Sequence, residues 1–307
     1  MKVLIAASEV HPFIKTGGLG DVTGALPKSL KKLGVDVRVI LPNYKDIKKE
    51  IKENLKFIRN FDINVGWRNQ YCGVLEYEIE DVKFYLLDNE YYFNRGGLYG
   101  YYDDGEKFAF FNKAVLEFLR TDEWTPDVIH CNDWQTSMIP VLHKVEYIYN
   151  EKFKNIKTII SIHNLFFKGM FSKEVLPDFF GYGYELFDNG SLEHFGGVSF
   201  LKGGINYADK ITTVSKTYLD EIKTQEYGEK LEGLLLYRNK DLKGIVNGID
   251  YDEYDPIKDE YIYMNYDKDI IYLKNKNKEK LQEELGLEIN KDIPMIGIVS
   301  RLTHQKI

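Results

Sequence analysis

The stretch Lys15-Thr16-Gly17-Gly18-Leu19-Gly20-Asp21 puts one cation, three glycines and one carboxylate shortly after the first apolar run of the chain. Glycine leaves backbone N–H groups uncovered and allows φ values that other residues resist. The segment can therefore wrap around an anion while Lys15 supplies charge, which would suit a diphosphate. The same glycines would serve equally well to turn the chain between a strand and a helix. Spacing excludes one rival. A dinucleotide fingerprint needs G-x-G-x-x-G directly after the first strand, whereas Ser8-Glu9-Val10-His11-Pro12-Phe13-Ile14 intervenes here.

Four further polar groups follow short apolar runs: His130-Cys131-Asn132-Asp133-Trp134, His163-Asn164-Leu165, Ser215 after Val214, and Asn247-Gly248-Ile249-Asp250 after Val246. Taken singly, Asp133 or Asn247 would cap a helix and His163 would be a structural histidine. Their shared position after a strand reverses that preference for the group. In an open parallel sheet the carboxyl ends of the strands share one edge, and ligands bind there.

The elements that must carry these groups read as alternating strands and helices. Residues 2–7 form a first strand, and Val22, Leu26, Leu30 and Leu33 recur at helical spacing. Pro27 should kink or restart that helix, and Gly34 should end it before a second strand over residues 35–41. Residues 55–88 are rich in β-favouring residues and read as an antiparallel insertion or edge. A helix over 106–120 then leads to strands at 128–131, 158–162, 210–214 and 243–246. The class is α/β: a Rossmann-like, mostly parallel sheet with helices on both faces and an antiparallel β insertion.

With 307 residues and 44% hydrophobic content, the chain exceeds the usual single domain. Against 48 Asp and Glu stand 41 Lys and Arg, a formal charge of −7 that disfavours nucleic acid as a partner. No apolar run is long enough to span a bilayer. Cys72 and Cys131 lack any metal or redox spacing, so the chain reads as soluble, reduced and cytoplasmic. Three segments are expected: a Rossmann-like domain over 1–250, a tyrosine-rich, charged connector over 251–293, and the first strand and loop of a second domain over 294–307. Asp103-Asp104 lies in a tyrosine- and glycine-rich loop and reads as a solvated turn; no metal and no cofactor is expected. Tyr91-Tyr92-Phe93, Tyr99, Tyr101 and Tyr102 would either guide a sugar chain along their rings or pack a loop.

Residues 15–22, 95–102, 130–134, 163–165, 199–202, 246–250 and 300–306 together resemble the bacterial and plant glycogen/starch synthase family. These are glucosyltransferases of two Rossmann-like halves, the GT-B arrangement, that extend α-1,4-glucan from ADP-glucose. The resemblance runs the length of the chain. It implies that Lys15 and the amides near Gly17 and Gly18 hold the donor phosphates, with Asp21 beside them. Tyr99 would lie near the glucosyl end, His163 would be the active-site histidine, and Asp133 and Asn247 would contact substrate. Arg301 and Lys306 would be the cations the second half contributes to the leaving diphosphate.

Elementary chemistry agrees with that set. Departure of a nucleoside diphosphate builds negative charge, which preorganised cations and N–H donors stabilise. The family transfers glucose with retention, and the resemblance implies a front-face transfer. It also implies a carboxylate-bearing motif and a base pocket in a second domain, and a glycine where Ile307 stands. The 307-residue chain is accordingly expected to be a fragment that does not elongate glucan alone. Two alternatives are a non-catalytic carbohydrate or nucleotide-sugar binding protein and one half of a split glycosyltransferase. A Tyr-x-x-x-Lys pair at Tyr272 and Lys276, the mark of a nucleotide-sugar oxidoreductase, is expected by chance in a chain with 23 tyrosines.

Overall fold

The computed structural model describes residues 1–299. The chain divides into two compact units, Met1–Gly248 and Ile249–Ile307.

The first unit is built on twelve strands: β1 (Lys2–Ala6), β2 (Asp36–Pro42), β3 (Lys56–Val65), β4 (Arg68–Ile79), β5 (Val82–Asp88), β6 (Val128–Asn132), β7 (Lys157–Ile162), β8 (Met170–Phe171), β9 (Glu193–His194), β10 (Gly197–Ser199), β11 (Lys210–Thr213) and β12 (Leu242–Gly244). Nine of them form one sheet in the order β12-β11-β7-β6-β1-β2-β5-β4-β3. From β12 to β5 every pairing is parallel, while β3 and β4 extend the edge as an antiparallel pair. The insertion expected over residues 55–88 is therefore two antiparallel strands, with β5 belonging to the parallel sheet. Strands β8, β10 and β9 make a separate antiparallel sheet.

Leu4, Ile5, Ala6, Val39, Ile40 and Leu41 are all fully buried. Because alternate residues face opposite sides of a sheet, unbroken burial along β1 and β2 means both faces are covered. From β1 the chain steps through β2 to β5 on one side, then returns to place β6, β7, β11 and β12 on the other. The order thus reverses between β1 and β6, the place where open α/β sheets leave a crevice at the strand ends.

Helix α1 (Gly18–Lys32) corrects two expectations. Pro27 lies buried within one uninterrupted helix; burial of its ring offsets the single i→i−4 bond that proline forfeits. Buried are Leu19, Gly20, Thr23, Gly24 and Pro27; of the anticipated stripe, Leu26 and Leu30 pack partly buried against the core, whereas Leu33 is 79% exposed. Small residues face inward because the preceding loop passes against the helix. A Cβ on Gly24 would lie 2.4 Å from the His11 carbonyl oxygen, and His11 N–H donates to Gly20 O at 2.9 Å. A pattern of large apolar residues cannot register a face made of glycine.

In the second unit a helix spans Lys274–Glu284, with Gln282 its only buried residue. Gln282 is held by reciprocal bonds to the Asn290 backbone, and Asn277 by a reciprocal pair with Met264. The strand expected from residue 294 onward does not form over 294–299, where Ile296, Ile298 and Val299 are exposed. A strand needs a neighbour to take its backbone bonds, and none is present among the described residues. Tyr272 is 66% exposed and Lys276 pairs with Glu279 at 2.8 Å, so the Tyr-x-x-x-Lys match has no built site. No helix among the described residues is long and apolar enough to cross a membrane.

Candidate functional site

At the end of β1 the chain continues through Ser8 and Glu9 into a tight turn closed by Val10 and Ile14, whose N–H groups donate to each other's carbonyls. Lys15 and Thr16 follow, and α1 begins with Gly17 as its N-cap and Gly18 as its first residue. Gly17 caps with no side-chain bond, and a Cβ on either glycine would meet nothing within 4 Å. Among the described residues nothing fills the space beside these two glycines. The start of a helix is where backbone N–H groups can meet an anion, although that of Gly20 already donates to Gly17 O at 3.2 Å. Lys15 Nζ reaches Asp21 Oδ1 at 2.8 Å, both side chains about a third exposed. An incoming phosphate would compete with Asp21 for that ammonium.

Glu9 organises this loop, and the sequence reading treated it only as spacer. The residue is 4% exposed. Its Oε2 accepts from the Thr16 N–H, and its Oε1 accepts from Thr16 Oγ1 at 2.9 Å and from the Tyr99 hydroxyl at 2.7 Å. Since that phenol donates to Glu9, the Ser8 hydroxyl 2.8 Å away is left to donate to the phenol oxygen. A buried carboxylate persists only with such partners. One signal was available: a carboxylate directly after a buried strand and before a glycine loop.

Beside β1, the ends of β6 and β7 lock together. Asp133 adopts φ 56° and ψ −175°, a region costly for any residue with a side chain. Its Oδ1 accepts from the backbone N–H groups of His163 at 2.7 Å and Asn164 at 3.4 Å, and its own N–H donates to Ser161 O at 2.9 Å. Burial pushes its carboxyl up to about 7, against the two N–H donors that favour the charged form; the charge of Glu9 raises it further.

Asn132 donates its Nδ2 to Ala6 O and His130 O, which turns its Oδ1 toward His163 Nε2 at 3.0 Å. That oxygen only accepts, so Nε2 carries the proton and Nδ1 keeps a lone pair for a ligand hydroxyl. Burial pushes the His163 imidazole down to about 4, opposed by the Glu9 carboxylate. A depressed histidine contributes stability above its unfolded value of 6.5 and loses it as pH falls through about 4. In an NMR titration the His163 ring is expected to show its midpoint near 4; a midpoint near 6.5 would contradict the buried, neutral assignment. His130 lies inward, bonded to Ser161 Oγ at 2.6 Å, and is likewise held down to about 4 by burial, then by His163.

The structure thus joins Thr16 of the glycine loop to Tyr99 through Glu9, and Asp133 to His163 through backbone and Asn132. Asn132 at the end of β6 bonds Ala6 O at the end of β1, so the two groups lie at neighbouring strand ends, at the switch between β1 and β6 where open sheets leave a crevice. Asn247 lies on the same rim but beyond β12, exposed. Three strand spacings separate β12 from β6, roughly 14 Å, and no hydrogen bond among the described residues joins Asn247 to the cluster. Arg301 and Lys306 lie outside the described residues.

Asp103 and Asp104 are not a solvated turn. Arg95 forks onto both oxygens of Asp103 at 2.6 and 2.7 Å, and the almost fully buried Lys107 pairs with Asp104 at 2.6 Å. Of the aromatic cluster, Tyr92 and Phe93 are core residues, and Tyr101 packs its ring against Arg95. Tyr102 alone is wholly exposed.

The sequence pattern of the starch synthase catalytic domain matches residues 2–237. The chain belongs to that family. Among its relatives, the glycogen synthase of Clostridium perfringens (strain 13 / Type A) is 62% identical over 306 residues, and that of Clostridium botulinum (strain Eklund 17B / Type B) is 57% identical over 307. Both alignments take in 100% of this chain and 64% of the relative, so the chain spans just under two thirds of their length. Among solved structures, the catalytic domain of Starch Synthase IV from Arabidopsis thaliana, bound to ADP and acarbose, superposes with a TM-score of 0.85. The identity is 29%, over 94% of this chain and 59% of that one. The mostly parallel sheet of this chain thus matches part of the catalytic domain of a GT-B starch synthase.

Proposed function

We propose that this chain is the acceptor-side half of a glycogen synthase, a hexosyltransferase that moves glucose from ADP-glucose to the non-reducing end of an α-1,4-glucan with retention of configuration. The observation that carries the reading is the meeting of Thr16, Glu9 and Tyr99 with Asp133 and His163 at the neighbouring ends of β1, β6 and β7, beside the glycine-rich start of helix α1. In the transfer, the bond from the anomeric carbon to the diphosphate oxygen breaks and a bond to the acceptor 4-hydroxyl oxygen forms. The acceptor proton leaves to a phosphate oxygen. Lys15 and the amides at Gly17 and Gly18 would take the growing phosphate charge, with Asp21 holding Lys15 until the donor arrives. Neutral His163 would accept a hydrogen bond from a glucosyl hydroxyl, and Tyr99 and Asp133 would shape the sugar site.

Asn247 would touch the sugar end from the outer rim, and Arg301 and Lys306 would complete the cationic set. The protein would work in the cytoplasm. Residues 1–250 would form the acceptor-side domain, 251–293 the connector and 294–307 the beginning of the second half.

Calorimetric titration of the 307-residue chain with ADP-glucose tests this reading. Binding is expected, weakened about tenfold by Lys15→Met, the worth of roughly one charge-assisted contact. A chain that gives no heat with ADP-glucose would overturn the reading. The 307-residue chain by itself is also expected not to extend glucan, and growth dependent on ADP-glucose would refute that.

A further inference from the structure

The loop over residues 94–104 is closed at its base by the Arg95 fork on Asp103. The Arg95 guanidinium also lies 5.3 Å from the Tyr91 ring centroid and 4.9 Å from that of Tyr101. Near its tip, Gly97 N–H donates to Asp46 Oδ2 at 2.7 Å. Such closure makes a compact Ω-type loop packed by its own side chains. Its centre is the site residue Tyr99.

The peptide groups on both sides of Tyr99 are held by one ion pair. Lys107 Nζ donates to Leu98 O at 2.7 Å and to Asp104 Oδ1 at 2.6 Å, while Asp104 Oδ2 accepts from Gly100 N–H at 2.7 Å. Asp104 opens the helix Asp104–Thr121 and Lys107 follows one turn later, so helix geometry presents the two on one face. Lys107 is only 1% exposed, and burying an ammonium is costly unless its bonds are made.

We infer that Asp104 and Lys107 are positioning residues: they clamp residues 98 and 100 so that the Tyr99 hydroxyl is aimed at the Glu9 carboxylate in the donor crevice. This rests on the reading of Tyr99 as a site residue given above. Local packing alone would need neither a buried ammonium nor a carboxylate divided between that ammonium and a glycine amide. The arrangement fixes a single side chain whose hydroxyl crosses from residue 99 to residue 9.

The test uses the 307-residue chain labelled with 3-fluorotyrosine, the Tyr99 signal being assigned by its loss in Tyr99→Phe. In Lys107→Met and Asp104→Asn the Tyr99 fluorine signal is expected to move or broaden. Lys113→Met, on the same helix but bonded to Asn64 O, should leave it in place. An unmoved Tyr99 signal in folded Lys107→Met, or an equal shift in Lys113→Met, overturns the clamp. Should both clamp variants fail to fold, amide exchange on the unaltered chain decides. Gly100, although surface-exposed, is expected to exchange at least about tenfold more slowly than an unstructured glycine, and free exchange overturns the proposal. Adding ADP-glucose to the unaltered chain addresses the site reading separately. A Tyr99 signal indifferent to the donor removes Tyr99 from the sugar site while the variant data still uphold the clamp.

Discussion

Replacing Glu9 with alanine is expected to lower the stability of the first unit by about 3 kcal/mol, since bonds to a charged acceptor contribute roughly 1.5–3 kcal/mol each and some of that loss is offset by removing a buried charge. At about 2–4 °C per kcal/mol for a unit of this size, the melting temperature should fall by roughly 6–12 °C. The effect should reach the crevice as well. The Thr16 amide and hydroxyl and the Tyr99 phenol all lose their acceptor at once, so the turn into α1 and the 94–104 loop come apart together. Affinity for ADP-glucose should drop by more than about tenfold, a loss of at least 1.4 kcal/mol. Glu9→Gln should fall between, because one amide oxygen can still accept from Tyr99 while the NH2 group meets a donor. Thermal melts and calorimetry of the two variants check this; an alanine variant that melts and binds like the parent would remove Glu9 from the centre of the site.

Substitutions at Asp133 should show an inverted order, with glycine milder than alanine. Alanine keeps the strained φ of 56°, which costs on the order of 1–3 kcal/mol, and orphans the His163 N–H. Glycine loses the same bonds but relieves the strain, less about 1 kcal/mol of backbone entropy. Asparagine keeps an acceptor oxygen and should be the mildest. Denaturant unfolding ranks the three, and alanine more stable than glycine would show that the backbone there is not strained.

The pH dependence at this position has a definite sign. Folding raises the Asp133 carboxyl from 3.8 to about 7, so its contribution is fully present below about 4 and is lost as pH rises through about 7. The parent chain should therefore lose stability relative to Asp133→Asn between those limits. A stability difference that stays level from pH 4 to pH 8 would mean the carboxyl titrates near its ordinary value.

The residues themselves announced much of this protein. Runs of Val, Ile and Leu bounded by polar residues placed six strands to within two residues of where they lie, because burial on both faces of a parallel strand demands an unbroken apolar stretch. Gly34 marked the end of α1 through its φ of +79°, a local requirement that any reader of the chain can apply. The rule that strand ends share an edge brought His163 and Asp133 forward from their places directly after β7 and β6.

What stayed hidden depends on partners far away along the chain. Glu9 is decided by Tyr99, 90 positions on, and the pair exists only because the folded sheet brings the 94–104 loop beside β1. Asp104 looked solvated until Lys107 was seen to be buried beneath the loop. The inward face of α1 was set by how closely the His11 carbonyl approaches Gly24, a distance that no periodicity encodes. Local propensity and pattern act over a few residues, so the sequence alone determined the elements and their ends; side-chain pairing and close approach arise between elements, so only the tertiary structure could decide them.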